Sequence, residues 1–306
     1  MRILVTGGAG FIGSHVVDAL VSRGHKVTVL DDLSTGKREN LNRQAAFVKG
    51  KVETLAAERL VRRLRPEAIF NFAAQKDVRF SVSRPAEDAL INVVGLLRLV
   101  QGALPHGLKR LVLASTGGAI YGGAKKLPTP EDYPAHPFSP YGVSKLASEL
   151  YLHSYRHAGG LPAVSLRFAN VYGPRQDPKS EAGVVAIFAR RLLRGQRPVI
   201  TGDGEQSRDF VYIDDVVRAC LAALTTKHLG VYNIGTGVET NINELARMLN
   251  LLVGSELQPV YAPAVAGEER RSALAIGLAK KFLGWKPRVA LAQGLAKTIE
   301  WQIARS

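Results

Sequence analysis

Short apolar runs alternate with amphipathic stretches through the first half of the chain. The runs predict strands at Arg2–Thr6, Lys26–Leu30, Ala46–Val48, Glu67–Ala73, Lys109–Ala114 and Ala163–Phe168. Helical periodicity between them predicts helices at Phe11–Arg23, Ala86–Leu104 and Tyr141–His157. Strands that alternate with helices are typical of βαβ units, which build parallel sheets. The pattern therefore predicts an α/β fold with a doubly wound parallel sheet.

The pattern changes after about Gly173. Loops become longer, the predicted elements become short and irregularly spaced, and the sequence has no internal repeat and no low-complexity linker. We therefore predict two parts, with some segments crossing back between them. Residues 1–173 form the sheet domain, and residues 174–306 form a smaller C-terminal α/β lobe that binds the substrate.

Composition narrows the class of protein. Of 306 residues, 46% are hydrophobic and 22% are charged, which excludes a disordered chain. No apolar run approaches the roughly 18–20 residues of a membrane span, and the N-terminus is a short strand that runs into glycines, so we expect no signal peptide and a cytoplasmic protein. A single cysteine, Cys220, excludes an internal disulfide and a cysteine-based metal site.

The charge is unusual. The chain has 41 Lys and Arg against 26 Asp and Glu, a formal net charge of +15. Such an excess suggests an anionic partner: a nucleic acid, a membrane surface or a phosphorylated small molecule. The basic residues are scattered, however, and in AAERLVRRLRPE most arginines fall between the apolar Leu60, Val61 and Leu64. That arrangement favours a solvated helix face over a nucleic-acid site.

A glycine-rich turn carries the strongest local signal. Thr6-Gly-Gly-Ala-Gly10-Phe-Ile-Gly13 lies between a predicted strand and a predicted helix. Glycines at this spacing allow a tight turn, the close approach of a pyrophosphate, and close packing of helix on sheet. The next predicted strand is followed by Asp31, whose carboxylate would bind an adenosine ribose diol and repel a 2′-phosphate. The motif predicts a Rossmann-type domain that binds NAD in preference to NADP.

A second motif predicts acid/base chemistry. In Ser139-Pro-Tyr141-Gly-Val-Ser-Lys145, the i, i+4 spacing places Tyr141 and Lys145 on one helix face. A tyrosine phenol has a pKa of about 10, so a phenolate at pH 7 needs a decrease of about 3 units. The charges of Lys145 and of a nearby nicotinamide cation would each favour the phenolate. Tyr141 is therefore a candidate general acid/base.

Hydroxyl groups lie at the end of another predicted strand, in Leu113-Ala-Ser115-Thr116-Gly-Gly-Ala-Ile-Tyr121. Ligands of doubly wound sheets bind at the carboxyl ends of strands. Thr116, or else Ser115, could bind a substrate oxygen and assist the tyrosine, although either hydroxyl could equally cap the strand end.

These three motifs together resemble the extended short-chain dehydrogenase/reductase family, and within it the NAD-dependent epimerases and dehydratases of nucleotide sugars. Further similar segments, DDLSTG, FAAQK, LRFANVYGPR, GDGEQSRDFVYIDD, YNIGTG and LGWKP, extend the resemblance over nearly the whole chain. The resemblance implies NAD contacts at Gly7, Gly10, Phe11, Ile12, Gly13, Asp31, Asp32, Ser34, Thr35, Gly36, Val52, Phe72, Ala73, Ala74, Lys76, Asn92, Tyr141, Lys145 and Phe168. It implies UDP-sugar contacts at Lys76, Thr116, Tyr141, Asn170, Val184, Arg208 and Arg271, and no metal.

The sequence departs from the family pattern at several positions. Gly117 stands where many relatives have the catalytic Ser or Thr, and Lys51 where the family usually has an aspartate for the adenine amino group. Val265 stands where relatives often place a diphosphate-binding arginine, and Arg270 or Arg271 could substitute for it. Ser272 stands where some relatives have a bulky side chain, which leaves room for an N-acetyl group on the sugar.

The resemblance implies a UDP-hexose 4-epimerase for UDP-glucose and UDP-galactose, with the N-acetylated forms as further substrates. Hydride passes from sugar C4 to NAD while Tyr141 takes the 4-hydroxyl proton. The 4-keto sugar, tethered through its diphosphate to Asn170 and Arg208, turns over and is reduced on its other face. Relatives commonly form dimers through packed helices, so we expect a homodimer that uses Leu90–Leu104 and Leu146–His157.

Two alternatives remain at this point. A nucleotide-sugar 4,6-dehydratase usually carries Asp-Glu after its catalytic threonine, but here Gly117 and Gly118 follow Thr116. A non-catalytic, basic relative that binds nucleic acid would explain the +15 charge, but it would have no need to keep Tyr141, Lys145 and Arg208 together.

Overall fold

The computed structural model describes residues 1–178, 183–264 and 269–305 of the chain. Within them lie thirteen strands: β1 (Arg2–Thr6), β2 (Lys26–Asp31), β3 (Ala46–Lys49), β4 (Ala68–Asn71), β5 (Arg110–Thr116), β6 (Ala163–Phe168), β7 (Asn170–Tyr172), β8 (Val199–Thr201), β9 (Ser207–Arg208), β10 (Phe210–Tyr212), β11 (Gly230–Ile234), β12 (Thr240–Asn241) and β13 (Val260–Ala262). The α-helices in the same ranges are α1 (Phe11–Val21), α2 (Leu55–Leu64), α3 (Val78–Ser83), α4 (Pro85–Ala89), α5 (Gly95–Ala103), α6 (Gly117–Ile120), α7 (Pro140–Gly159), α8 (Val184–Leu193), α9 (Ile213–Thr225), α10 (Ile242–Val253), α11 (Gly277–Leu283) and α12 (Leu291–Ile303).

Seven strands form one sheet in the order β11-β6-β5-β4-β1-β2-β3, and every pair in it is parallel. The chain starts at β1, winds outward to β3, and then returns to β4 on the other side of β1. Doubly wound sheets bind ligands at the carboxyl edge, where the strand order reverses. The predicted Rossmann-type α/β fold is confirmed, and its crevice lies between β1 and β4.

The central strands are buried on both faces, as parallel strands covered by helices are. In β1, Ile3 and Val5 belong to one hydrophobic core, and Leu4, which lies between them, belongs to the other. Helices α1 and α9 pack together, and α2 packs on α5. The sheet is therefore a layer enclosed by two cores, which gives the strand ends a rigid edge on which to place side chains.

The long helix predicted at Ala86–Leu104 is a run of shorter elements. It begins with Pro85 in α4, passes through a π-helical turn at Leu90–Val94, and ends in α5 and a 3₁₀ turn. The helical stretch Pro85–His106 is long and apolar enough to cross a membrane by length and composition, with 39% of its most apolar window buried. Glu87, Asp88 and Arg98 interrupt this stretch, so it is not a continuous apolar run of the kind that was expected to be absent. Leu96, Leu99 and Val100 are at most 1% exposed, because this helix contributes to the core against α2.

Part of the C-terminal half completes the main sheet. Strand β11 pairs with β6, and α9 packs against α1. The remaining strands form three two-stranded sheets, β10-β7, β12-β9 and β13-β8. The division of function at residue 173 stays a prediction.

Candidate active site

The glycine-rich turn leaves no room for side chains at two of its positions. Gly7 has φ +68°, and a Cβ there would lie 2.6 Å from the Ala73 nitrogen. A Cβ at Gly13 would lie 2.2 Å from the Gly7 carbonyl oxygen. At Gly7 the turn therefore packs against the residues that follow β4, and at Gly13 helix α1 packs against the turn. Both approaches are too close for a side chain, so the backbone requires glycine at both positions.

The turn fits a dinucleotide. Helix α1 starts after Gly10, and no side chain caps its first turn. The only heavy atom near a Cβ at Gly10 would be the Gly7 oxygen at 3.2 Å, so this position opens on the crevice. Unbonded N–H groups of a first turn, which includes Phe11, Ile12 and Gly13, suit a pyrophosphate.

Asp31 lies beside this turn at the end of β2. Its carboxylate accepts hydrogen bonds from the N–H groups of Ala9 (3.0 Å) and Leu33 (2.8 Å), and the residue is 7% exposed. A carboxylate has about four acceptor sites, so two remain for a ribose diol. The next carboxylate, Asp32, holds Ser34 through both the backbone N–H and the hydroxyl of that residue. A Cβ at Gly36 would lie 2.8 Å from the Asp31 oxygen, so glycine lets this loop close over the carboxylate.

The remaining predicted cofactor residues surround the same edge. Ala73 donates its N–H to the Thr6 hydroxyl (3.2 Å), which fixes the loop after β4 against the glycine turn. Phe72 stacks on Phe70, Val52 and Phe168 are buried, and Ala74 and Lys76 follow in the loop. Thr35 lies in the loop after Ser34. Asn92 is 3% exposed and its side-chain amide donates to the Gln75 carbonyl (3.0 Å), so it fixes the position of this loop through this hydrogen bond.

Tyr141 lies in the first turn of α7. Ser139 caps that helix by accepting the Gly142 N–H (3.2 Å), and Pro140 occupies its first position. The Tyr141 phenol shares a hydrogen bond with the Thr116 hydroxyl. The structure therefore brings the predicted tyrosine and threonine into contact at the carboxyl end of β5.

Lys145 lies one turn further along α7. It is 4% exposed, donates to the Ala114 carbonyl (3.0 Å), and has its Nζ 5.9 Å from the centroid of the Tyr141 ring. Burial lowers the pKa of Lys145 to about 8, against the opposing charges of Asp88 and Glu149. An ammonium with so few partners can reorient toward a ligand hydroxyl.

The electrostatics of Tyr141 differ from the sequence-based expectation. We expected Lys145 to lower the tyrosine pKa. In the structure burial, followed by the charge of Asp88, raises the pKa of Tyr141 well above its usual value, and the hydrogen bond with Thr116 lowers it. The phenol is therefore held protonated until a further positive charge enters the site.

Ser115, the second candidate for assisting the tyrosine, lies in a different network. Its hydroxyl donates to Glu149, which is paired with Arg167 at 2.7 Å; both partners are almost fully buried. Arg167 also donates to the Tyr121 hydroxyl (2.8 Å). Ser115 and Thr116 both contact α7, but Ser115 is bonded to Glu149, eight residues after Tyr141, whereas Thr116 meets Tyr141 itself. The geometry favours Thr116.

The arginines predicted to bind the diphosphate belong to the C-terminal half of the chain. Arg208 is in β9, within electrostatic reach of Glu269, whose pKa is raised by burial. Arg271 is paired with Glu239 through two hydrogen bonds (3.0 and 2.6 Å), and Arg270 is paired in the same way with Asp203. Both arginines line a cavity of about 330 Å³.

Three further predicted positions complete this side. Asn170 starts β7, where its N–H donates to the Asp209 carbonyl (2.8 Å), and Val184 is the half-buried first residue of α8. Ser272 is 7% exposed, and its N–H donates to the Ser207 carbonyl (3.2 Å). Val265 lies outside the described residues. In the part of the chain that the structure describes, no cluster of three His, Cys, Asp or Glu residues could hold a metal ion.

Asp88 is the principal residue that the sequence analysis missed. It is fully buried, and its charge acts on both Tyr141 and Lys145. The one available signal was its position four residues before Asn92, which puts both on the same helix face and makes a carboxylate-to-amide hydrogen bond possible (3.1 Å). Glu149, by contrast, stands four residues after Lys145 on α7 and could have been read as an ordinary surface pair.

The chain is similar to known proteins over its whole length. A model of the NAD dependent epimerase/dehydratase family matches residues 3–235. A UDP-glucose 4-epimerase of Mycolicibacterium smegmatis is 46% identical over 307 residues, which cover 98% of each chain. The crystal structure of a Thermotoga maritima UDP-glucose 4-epimerase with UDP-glucose is 50% identical, with a TM-score of 0.98 and coverage of 100% of this chain and 99% of that one. The Thermus thermophilus UDP-glucose 4-epimerase in complex with NAD is 41% identical, with a TM-score of 0.93 and full coverage of both.

Proposed function

This chain belongs to the NAD dependent epimerase/dehydratase family, and from that premise we propose that it is an NAD-dependent UDP-hexose 4-epimerase that interconverts UDP-glucose and UDP-galactose. The observation that carries the proposal is the contact between Tyr141 and Thr116 at the carboxyl edge of the sheet, beside a turn that fits a dinucleotide. The similarity to UDP-glucose 4-epimerases over the whole chain supports the same reaction.

The glycine turn and the loops after β2 and β4 would hold NAD. The first turn of α1 receives the pyrophosphate, and Asp31 receives the adenosine ribose. Bound NAD supplies the acceptor and the donor of the C4 hydride, together with a positive ring. Burial and Asp88 keep the Tyr141 phenol protonated in the structure, and a positive nicotinamide ring beside it would favour the phenolate.

The acid/base work falls to Tyr141. As a phenolate it takes the proton of the sugar 4-hydroxyl, and as a phenol it returns the proton to the same oxygen after the 4-keto sugar has turned over. Thr116 contacts the Tyr141 oxygen and can hold the substrate oxygen beside it. Lys145 brings a second cation to the site and can bind the nicotinamide ribose.

The nucleotide diphosphate must stay bound while the sugar turns. We propose Asn170 and Arg208 as its anchors, together with Lys76. Arg271 can join them by exchanging Glu239 for a phosphate oxygen. Binding energy concentrated on the remote diphosphate leaves the reacting ring free to rotate.

The 4,6-dehydratase alternative lacks its acidic pair in this chain, because Gly117 and Gly118 follow Thr116 and neither can transfer a proton. Gly117 follows Thr116 at the start of α6, and a Cβ there would lie 2.4 Å from a methyl carbon of Leu274. A carboxylate therefore cannot replace this glycine without moving Leu274, which is 1% exposed.

Substitution of Tyr141 tests the proposal. With NAD and a panel of UDP- and dTDP-sugars, product NMR should show interconversion of the C4 epimers by the wild type. Tyr141→Phe should lower kcat by about 10²–10⁴-fold, because the general acid/base is lost. Tyr155→Phe, on the same helix, is the matched control and should remain active. A 6-deoxy-4-keto product, or a fully active Tyr141→Phe variant, would contradict the proposal.

We further propose a homodimer with no nucleic-acid partner. Arg62 of α2 and Arg98 of α5 support the second point, since both are paired with Glu58, at 2.9 and 3.0 Å. Cytoplasmic residence stays a prediction.

A further inference from the structure

We propose that Asp88 is a positioning residue for the acid/base pair: its buried carboxylate holds the start of α7 against the loop after β4 and keeps one negative charge behind Tyr141 and Lys145. The proposal rests on the proposed function, because it assigns Asp88 a part in the same reaction.

Three hydrogen bonds hold the Asp88 carboxylate, and each comes from a different segment. One oxygen accepts from the side-chain amides of Gln75 (2.9 Å) and Asn92 (3.1 Å), and the other accepts from the Ser144 hydroxyl. Gln75 belongs to the loop that faces the dinucleotide turn, and Ser144 lies between Tyr141 and Lys145 in sequence. Asp88 therefore ties the predicted cofactor loop to the helix that carries the acid/base pair.

The groups that hold the carboxylate are all neutral. Two are side-chain amides directed at one oxygen and the third is a hydroxyl, so none of them is a cation that would cancel the negative charge of an ionised Asp88. Asp88 itself is 0% exposed, so water does not screen it. Its neighbour Glu87 is different: that side chain is 54% exposed and faces Arg84.

The negative charge of Asp88 acts on two groups of the active site. Tyr141 and Lys145 on α7 both feel its negative charge, and Glu149 acts on Lys145 from further along the same helix. A negative charge favours the protonated form of each neighbour. Asp88 therefore keeps Lys145 an ammonium in spite of burial, and it prevents the Tyr141 phenolate from becoming too stable to return its proton.

Asp88→Asn removes the charge and can keep the hydrogen bonds. The asparagine oxygen can still accept from Gln75 and Asn92, and its amide can donate to the Ser144 hydroxyl. In the NAD-loaded enzyme we expect the ionisation of Tyr141, followed by tyrosinate absorbance and identified by its absence in Tyr141→Phe, to move to lower pH by about one unit. In the profile of kcat against pH, the acid limb should move to lower pH by a similar amount.

Glu87→Gln is the matched control, because it removes the same charge from the adjacent, exposed residue, and its ionisation midpoint should equal that of the wild type. An unmoved midpoint in a folded Asp88→Asn variant would overturn the proposal. The absorbance readout needs no sugar, so it can succeed even where the assigned substrate is wrong.

Ser144→Ala tests the positioning role without changing any charge, and it serves if Asp88→Asn does not fold. It cuts the link between Asp88 and α7, so kcat should fall at least several-fold while KM for the UDP-sugar stays within about twofold, since the diphosphate anchors are remote. Unchanged kcat in this variant would count against Asp88 as a positioning residue.

Discussion

The buried ammonium of Lys145, in the candidate active site, lowers the free energy of unfolding of the protein. Its ammonium is almost fully buried with one hydrogen bond, to the Ala114 carbonyl, and burial lowers its pKa from 10.5 to about 8. Between these two values the unfolded chain binds a proton that the folded chain does not. The free energy of unfolding therefore rises with pH across this window, and the destabilisation is complete below about pH 8.

Replacement of Lys145 should remove this pH dependence. Relative to Lys145→Met, the wild type should gain about 2–3 kcal/mol of unfolding free energy between pH 7 and pH 10, because 1.36 kcal/mol corresponds to each unit of pKa. Urea denaturation of both NAD-free proteins at several pH values measures the difference. If the difference in unfolding free energy between the two proteins stayed the same at every pH, Lys145 would not be a buried charge.

The elements around the site are joined by a buried ion pair. Arg167 of β6 and Glu149 of α7 have side chains 7% and 3% exposed, and Ser115 of β5 donates to the same carboxylate. Arg167 reaches Tyr121, whose hydroxyl donates to Asn233 of β11. One network therefore holds three adjacent strands to the helix that carries Tyr141.

Loss of the arginine from this network should be costly. Arg167→Met leaves Glu149 buried without its cation, and we expect the unfolding free energy to fall by about 3–5 kcal/mol. The control, Arg62→Met, removes a half-exposed arginine paired with Glu58 and should cost less than about 1 kcal/mol. The denaturation midpoints of the two variants, compared at equal m-value, measure this difference. Similar losses of unfolding free energy in the two variants would contradict the role of burial.

At the scale of the whole molecule, apolar side chains are exposed on and beside the two segments that were expected to form a dimer, Leu90–Leu104 and Leu146–His157. Exposed side chains there include Val82 (65%), Leu90 (45%), Val143 (53%), Leu150 (60%) and Tyr151 (45%). Helices α3 and α4 and the π-helical turn that starts at Leu90 all pack on α7, so these exposed residues lie on neighbouring elements. Exposed apolar patches of this kind mark protein–protein interfaces, and the surface supports the proposed homodimer.

A charge on this surface should dissociate the dimer. Leu150→Glu would bury a carboxylate against apolar side chains, so we expect a monomer in sedimentation at micromolar protein. Leu251→Glu changes an even more exposed leucine (82%) on α10 and should leave the dimer intact. Identical sedimentation of Leu150→Glu and the wild type would move the interface elsewhere.

Features that depend on neighbours along the chain could be predicted from the sequence. The glycine spacing from Gly7 to Gly13, the shared helix face of Tyr141 and Lys145, and most central strands follow from turns, from a period of 3.6 and from apolar runs. These interactions span only a few residues, so their signals survive in a one-dimensional pattern. Membership of the family and the doubly wound sheet were accordingly predicted correctly.

Features that depend on distant pairings could not be predicted. The sequence places Ser115 and Thr116 together at the end of β5, but only the packing of α7 shows that Ser115 meets Glu149 and Thr116 meets Tyr141. The place of β11 beside β6, the burial that raises the Tyr141 pKa, and the approach of Asp88 to Ser144 all join segments more than 50 residues apart. Such contacts are set by which faces the strands and helices bury together, and burial determines the protonation of the groups between them.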